Sequence, residues 1–159
     1  MDAGVFTLTV IMLIAVALAF DFMNGFHDAA NAIATVVSTG VLKPYQAVIW
    51  AAFFNVAAIA IFELHVAATV GKGIVAPENA TLTLVLGALL SAIVWDLVTW
   101  YYGLPSSSSH ALTFSIVGAG IAEAGTSAIL GDGLSRVFQG LVYSPILGFL
   151  GAAGVLLLL

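Results

Sequence analysis

Cysteine is absent from the 159 residues, which removes both a disulfide framework and a thiolate metal site. Charge is scarce: only 7% of residues are Asp, Glu, Lys or Arg, where a soluble domain carries about a quarter. Cations are scarcest of all. Lys43, Lys72 and Arg136 are the whole set, so the positive-inside rule has too little to set an orientation. What is plentiful is apolar: 62% of the chain is hydrophobic and the mean hydropathy is +1.19. These values exclude an ordinary soluble domain and imply an all-α, polytopic membrane helix bundle, a multi-pass protein of the cell membrane. The formal net charge of −5 says little about partners, because several acids lie inside apolar segments.

Residues 5–20 are almost wholly apolar and read as a transmembrane helix. No small-residue cleavage site follows, so the segment reads as mature membrane helix and not as a signal peptide. Unbroken helix over residues 5–41 would be about 55 Å long, against a hydrocarbon core of about 30 Å. A break is therefore expected, and Asn24-Gly25 is its natural place. Gly40 and Lys43-Pro44 close this unit. Residues 45–70 form a second apolar run interrupted by Asn55, Glu63 and His65, the last two suited to an interface. A polar connection over residues 71–79 leads to a third helix over 81–102, which ends in Trp95, Trp100, Tyr101 and Tyr102 like an interfacial aromatic belt. Residues 111–122 are short for a full span and suggest a re-entrant half-helix. Residues 125–139 read as a polar loop, and residues 140–159 as a last apolar run broken by Pro145 and several glycines. The final four leucines lack the charged or aromatic anchor that normally ends a span. The expectation is one membrane domain over residues 1–159, cut short or in need of a partner half.

Two polar clusters interrupt this apolar background. Asp21, Asn24, Asp28, Asn31, Thr35 and Ser38 recur every three or four residues, which puts six polar side chains on one helical stripe. In so apolar a chain such a stripe must face protein, a cavity or an ion. The second cluster is Pro105-Ser106-Ser107-Ser108-Ser109-His110. Pro105 suits the first turn of a helix, and serines before or within that turn can cap it. Free N–H groups and serine hydroxyls at a helix N-terminus make an anion cradle. The carboxylates and amides of Asp28, Asn24 and Asn31 would instead attract a cation or carry a proton. An anion site beside a cation site is what a symporter needs.

Plainer readings stand beside these. A serine run also suits a flexible loop, His110 a cap or a lipid headgroup contact, Asp21 an interfacial acid, and Asp96 a structural role. Asp28 and Asn31 are harder to explain away, since a carboxylate near the bilayer centre costs at least ~2.5 kcal/mol. One histidine, His27, with scattered carboxylates lacks the spacing of a metal site. A serine hydrolase is disfavoured too: Ser109 and His110 are adjacent and point about 100° apart on a helix, and no nucleophile elbow is present. No enzymatic activity and no cofactor are expected.

Asn24-Gly25-Phe26-His27-Asp28-Ala29-Ala30-Asn31-Ala32-Ile33-Ala34-Thr35 resembles the signature of the inorganic phosphate transporter (PiT) family in its bacterial form. Gly103-Leu104-Pro105-Ser106-Ser107-Ser108-Ser109-His110 resembles that family's second signature. With the helices between them, the similarity covers nearly the whole chain. The resemblance implies a symporter of the prokaryotic inner membrane that moves phosphate, alone or as a metal–phosphate complex, with protons or sodium. It further implies one N-terminal half of an inverted repeat, whose second half is not in this sequence. By position, Asp28 and Asn31 match the family's cation- and phosphate-site acid and amide, and Ser107, Ser108 and Ser109 its phosphate-contacting tip. His110 and Asn31 join the expected phosphate set; Asp28, Asn24, His27, Asp21 and Asp96 form the expected coupling set. Where the family often has asparagine, this chain has His27, a departure that favours protons over sodium. A single half implies a second half or an antiparallel homo-oligomer to complete the site.

Overall fold

A computed structural model describes residues 3–61 and 73–158. Among the described residues it contains five α-helices: α1 (Ala3–Ser38), α2 (Pro44–Ile61), α3 (Leu82–Tyr101), α4 (Ser108–Ala124) and α5 (Gly131–Leu158). Three of them, α1, α3 and α5, are long and apolar enough to cross a membrane. The expected helical membrane bundle is present. Glu63, His65 and Lys72 lie outside the described residues.

Local sequence explains where the helices begin and end. Gly40, at φ +74°, stops α1: its N–H reaches Val37 O at 3.1 Å, and Val41 N–H reaches Val36 O at 3.1 Å. That paired pattern is the Schellman cap, which needs a residue tolerant of positive φ. Pro44 opens α2 where its missing N–H costs nothing, and the Gln46 amide oxygen accepts from Lys43 N–H at 3.2 Å. Thr81 caps α3 by accepting from Leu84 N–H at 3.1 Å. Gly103, at φ +65°, ends that helix by the same Schellman pattern, with Leu104 N–H on Thr99 O at 2.8 Å.

Two expectations about continuity are corrected. α1 is not broken at Asn24-Gly25; it runs through to Ser38, about 54 Å at 1.5 Å per residue. A helical glycine costs only about 1 kcal/mol, and packing on both sides of the pair holds the axis straight. Phe20 is buried with Leu89 and Ala92 on one side; Phe26 meets Trp100, ring centroids 5.6 Å apart, on the other. Similarly, residues 131–139 are not loop but the first turns of α5, which also runs through Pro145 and its glycines. Asp132 stands in its first turn, where a carboxylate complements the helix dipole, and Pro145 is tolerated as prolines are in membrane helices.

The contacts set the directions. Along α1 and α3, Phe20 pairs with Leu89 and Ala92 and Phe26 with Trp100, so the two helices run parallel. α3 and α4 form an antiparallel hairpin: the Thr81 hydroxyl, at the α3 N-cap, donates to the Glu123 carboxylate near the end of α4, and Leu84 shares a core cluster on which Ile116, Val117 and Ala119 pack. A short antiparallel pairing of Val75 with Ile129 ties the segment before α3 to the segment after α4. Gly133 of α5 is buried so closely against the Gly73 carbonyl that any Cβ there would overlap it. Val137 still packs on the cluster of Ile74, Val75 and Leu84 and the Phe138 ring meets Phe114 of α4, centroids 6.2 Å apart, while every residue from 138 to 152 is exposed.

Candidate functional site

The antiparallel pair α1–α2 leaves a groove of about 820 Å³. From α1 its wall takes Asp21, Asn24 and Asp28; from α2 its polar contribution is Asn55; from α4 it takes Ser109. The continuous helix is what aligns the three α1 residues, because spacings of three and four keep them on one face. The stripe does not stay together along its whole length: Asn31, Thr35 and Ser38 are exposed and do not line the groove.

The serine run divides around the start of α4. Helix begins at Ser108, so Pro105 lies ahead of the first turn and not within it. Ser107 is the cap, its hydroxyl accepting from His110 N–H at 3.4 Å. Ser109 faces the acidic groove. Ser106, Ser107 and His110 line a second cavity of about 540 Å³ together with Ser91 and Trp95. Ser108 is wholly buried, and its hydroxyl has no hydrogen-bond partner. Of the five residues expected to contact phosphate, Ser109 alone therefore lines the groove that holds Asp28.

Between the two cavities lies a buried polar seam. His27 is only 7% exposed, and its Nε2 is 3.1 Å from Thr99 Oγ1 on α3. Thr99 Oγ1 lies 3.1 Å from Ser106 Oγ and within 3.0 Å and 3.1 Å of the backbone carbonyls of Trp95 and Asp96. The Asp96 carboxylate is completely buried and has no hydrogen-bond partner for either oxygen. It lies beside the Ser108 hydroxyl and within electrostatic range of His27 and Asp28, yet closes no hydrogen bond with Ser108. Asp28 is half-buried, with Oδ1 3.7 Å from His27 Nδ1, beyond hydrogen-bonding distance. Thr99 and Ser106 were not among the expected site residues. The pairing of Thr99 with His27 bridges 72 positions in sequence, and no local pattern announces it.

Carboxylate and amide groups of α1 and hydroxyl groups at the start of α4 thus flank this seam. Ser109 is in the first turn of α4, where backbone N–H groups have no intrahelical partner and the dipole favours an anion. Residues 24–159 match the model of the phosphate transporter family. The chain belongs to that family. A probable low-affinity inorganic phosphate transporter of Rhizobium meliloti is 54% identical over 94% of this chain and 45% of its own length. The low-affinity inorganic phosphate transporter PitB of Escherichia coli is 37% identical over 96% of this chain and 33% of its own length. A solved structure titled as the sodium-dependent phosphate transporter superposes with a TM-score of 0.81 at 29% identity, over 89% of this chain and 36% of that one. The chain thus spans less than half the length of these family members. With its spanning helices, it is a multi-pass membrane protein.

Proposed function

We propose that this chain supplies one half of a secondary transporter that moves inorganic phosphate, free or metal-complexed, by symport with protons in preference to sodium. The observation that carries the reading is the meeting of Ser109, at the N-terminal turn of α4, with Asp21, Asn24 and Asp28 of α1 in one groove. The helix end attracts an anion, while the acids hold the compensating positive charge. Preference for protons rests on His27 beside Asp28, since an imidazole ring nitrogen can bind a proton. The similar solved structure is named for sodium, and that name belongs to that protein. No enzymatic step enters this reading.

The remainder of the site comes from a second half, in a continuation of the polypeptide or in another copy. The bare apolar surface of α5 over residues 138–152 supports this, because so long an exposed face suits lipid or a further helix. It also favours a second reading, a membrane subunit that transports nothing until a partner half joins it.

The test is phosphate affinity in Ser109→Ala. Loss of one hydrogen bond to a charged ligand should weaken binding about tenfold, with proton or sodium binding changed less. Equal loss of both, or of neither, contradicts the anion cradle.

A further inference from the structure

We propose that His27 and Asp28 jointly hold the coupling proton, and that Thr99 is the positioning residue that sets the His27 tautomer. This rests on the symport reading above and names the atoms that carry the proton.

The argument starts at Thr99. Its hydroxyl has one hydrogen, and two backbone carbonyls, of Trp95 and Asp96, stand 3.0 Å and 3.1 Å away. Carbonyl oxygens only accept, and Ser106 Oγ, 3.1 Å away, has a hydrogen of its own to donate to the Thr99 oxygen, so the Thr99 hydrogen is free for the carbonyls, the usual back-bonding of a helical threonine. The Thr99 oxygen is then left to accept. His27 Nε2, 3.1 Å away, must carry the hydrogen and donate it. A neutral imidazole has one N–H, so Nδ1 is a bare lone pair. That nitrogen is buried and has no partner, and it faces Asp28 Oδ1 at 3.7 Å. Two acceptors confront each other across a gap too long for a hydrogen bond; an N–H aimed at a carboxylate would close to about 2.8 Å. One proton completes the pair.

Asp28 reaches the groove and His27 is buried behind it, so the proton enters by way of the carboxylate. It bonds to the Nδ1 lone pair and is shared with Oδ1; release reverses the step, and no other bond changes. The net charge of the pair rises from −1 to neutral. A phosphate near Ser109, in the same groove, then meets no facing anion at Asp28. Protonation and phosphate binding therefore favour each other, and by linkage the effect is reciprocal. Among the described residues, the other charged groups facing the pair come from two helices. Asp96 of α3 acts on both members, and Asp21 of α1 lies two turns earlier along the groove. α2 brings only the neutral Asn55, α4 brings Ser109, and His110 faces the other cavity.

The test measures protons taken up with each phosphate in proteoliposomes of the complete transporter, this chain together with its second half, using an internal pH dye and radiolabelled phosphate. His27→Gln keeps a donor for Thr99 but has no second basic nitrogen. It should lose the accompanying proton and the acceleration by an inward proton gradient. Thr99→Val should flatten the pH dependence of uptake, and Thr99→Ser, which restores the hydroxyl, should recover it even if His27→Gln fails to fold. An unchanged proton-to-phosphate ratio in His27→Gln, or identical pH profiles for Thr99→Val and Thr99→Ser, overturns the proton site and leaves phosphate symport standing. Absence of phosphate uptake by the wild-type protein overturns the symport reading and this proposal with it.

Discussion

In the proposed mechanism the chemistry turns on Asp28. A carboxylate at membrane depth costs at least ~2.5 kcal/mol, and this one is half-buried beside a histidine nitrogen without a partner. Asp28→Asn removes the charge at nearly constant shape. Coupled phosphate uptake should fall to background while the protein still reaches the membrane, as immunoblots of membrane fractions would show. Uptake at the wild-type rate would remove Asp28 from the coupling role. How much of this was legible differs residue by residue. The stripe of Asp21, Asn24 and Asp28 could be read from spacing alone, because a helical period is a local property. The inward turn of His27 could not, because its partner Thr99 comes from another helix. Nor could the division of the serines: within one turn, Ser107, Ser108 and Ser109 point to a cavity, the interior and the acidic groove, and that depends on how α4 is rotated against α1 and α3.

At the level of helices, ends were easier to read than interiors. Gly40 and Gly103 stop α1 and α3 because each takes the positive φ that a Schellman cap needs. Asn24-Gly25 resembles such a stop in composition, but tertiary packing through Phe20 and Phe26 overrides a helix penalty of about 1 kcal/mol. The polar residues of 131–139 suggested loop, whereas polarity there marks the first turns of α5. Gly133 locks those turns onto the Gly73 carbonyl, a contact invisible in sequence. Gly133→Ala should therefore destabilise the protein by about 1–3 kcal/mol, the range for overpacking a tight contact. Gly140→Ala, with open space around it, should not. Thermal unfolding in detergent compares the two; equal midpoints would show that the Gly133 contact contributes nothing.

On the scale of the whole molecule, two grooves and a buried seam lie around the α4 N-terminus, and a long apolar helix stands away from them. The chain spans less than half the length of the family members it was compared with. The membrane class followed directly from hydropathy, since composition is independent of topology. The central claim is that the groove shared by Asp28 and Ser109 couples phosphate to protons. It is tested most directly by radiolabelled phosphate uptake into proteoliposomes of the complete transporter, this chain together with its second half, under an inward proton gradient and, separately, an inward sodium gradient. The account predicts saturable uptake that the proton gradient accelerates more than the sodium gradient does. Uptake driven by sodium alone, or no uptake above protein-free liposomes, would contradict it.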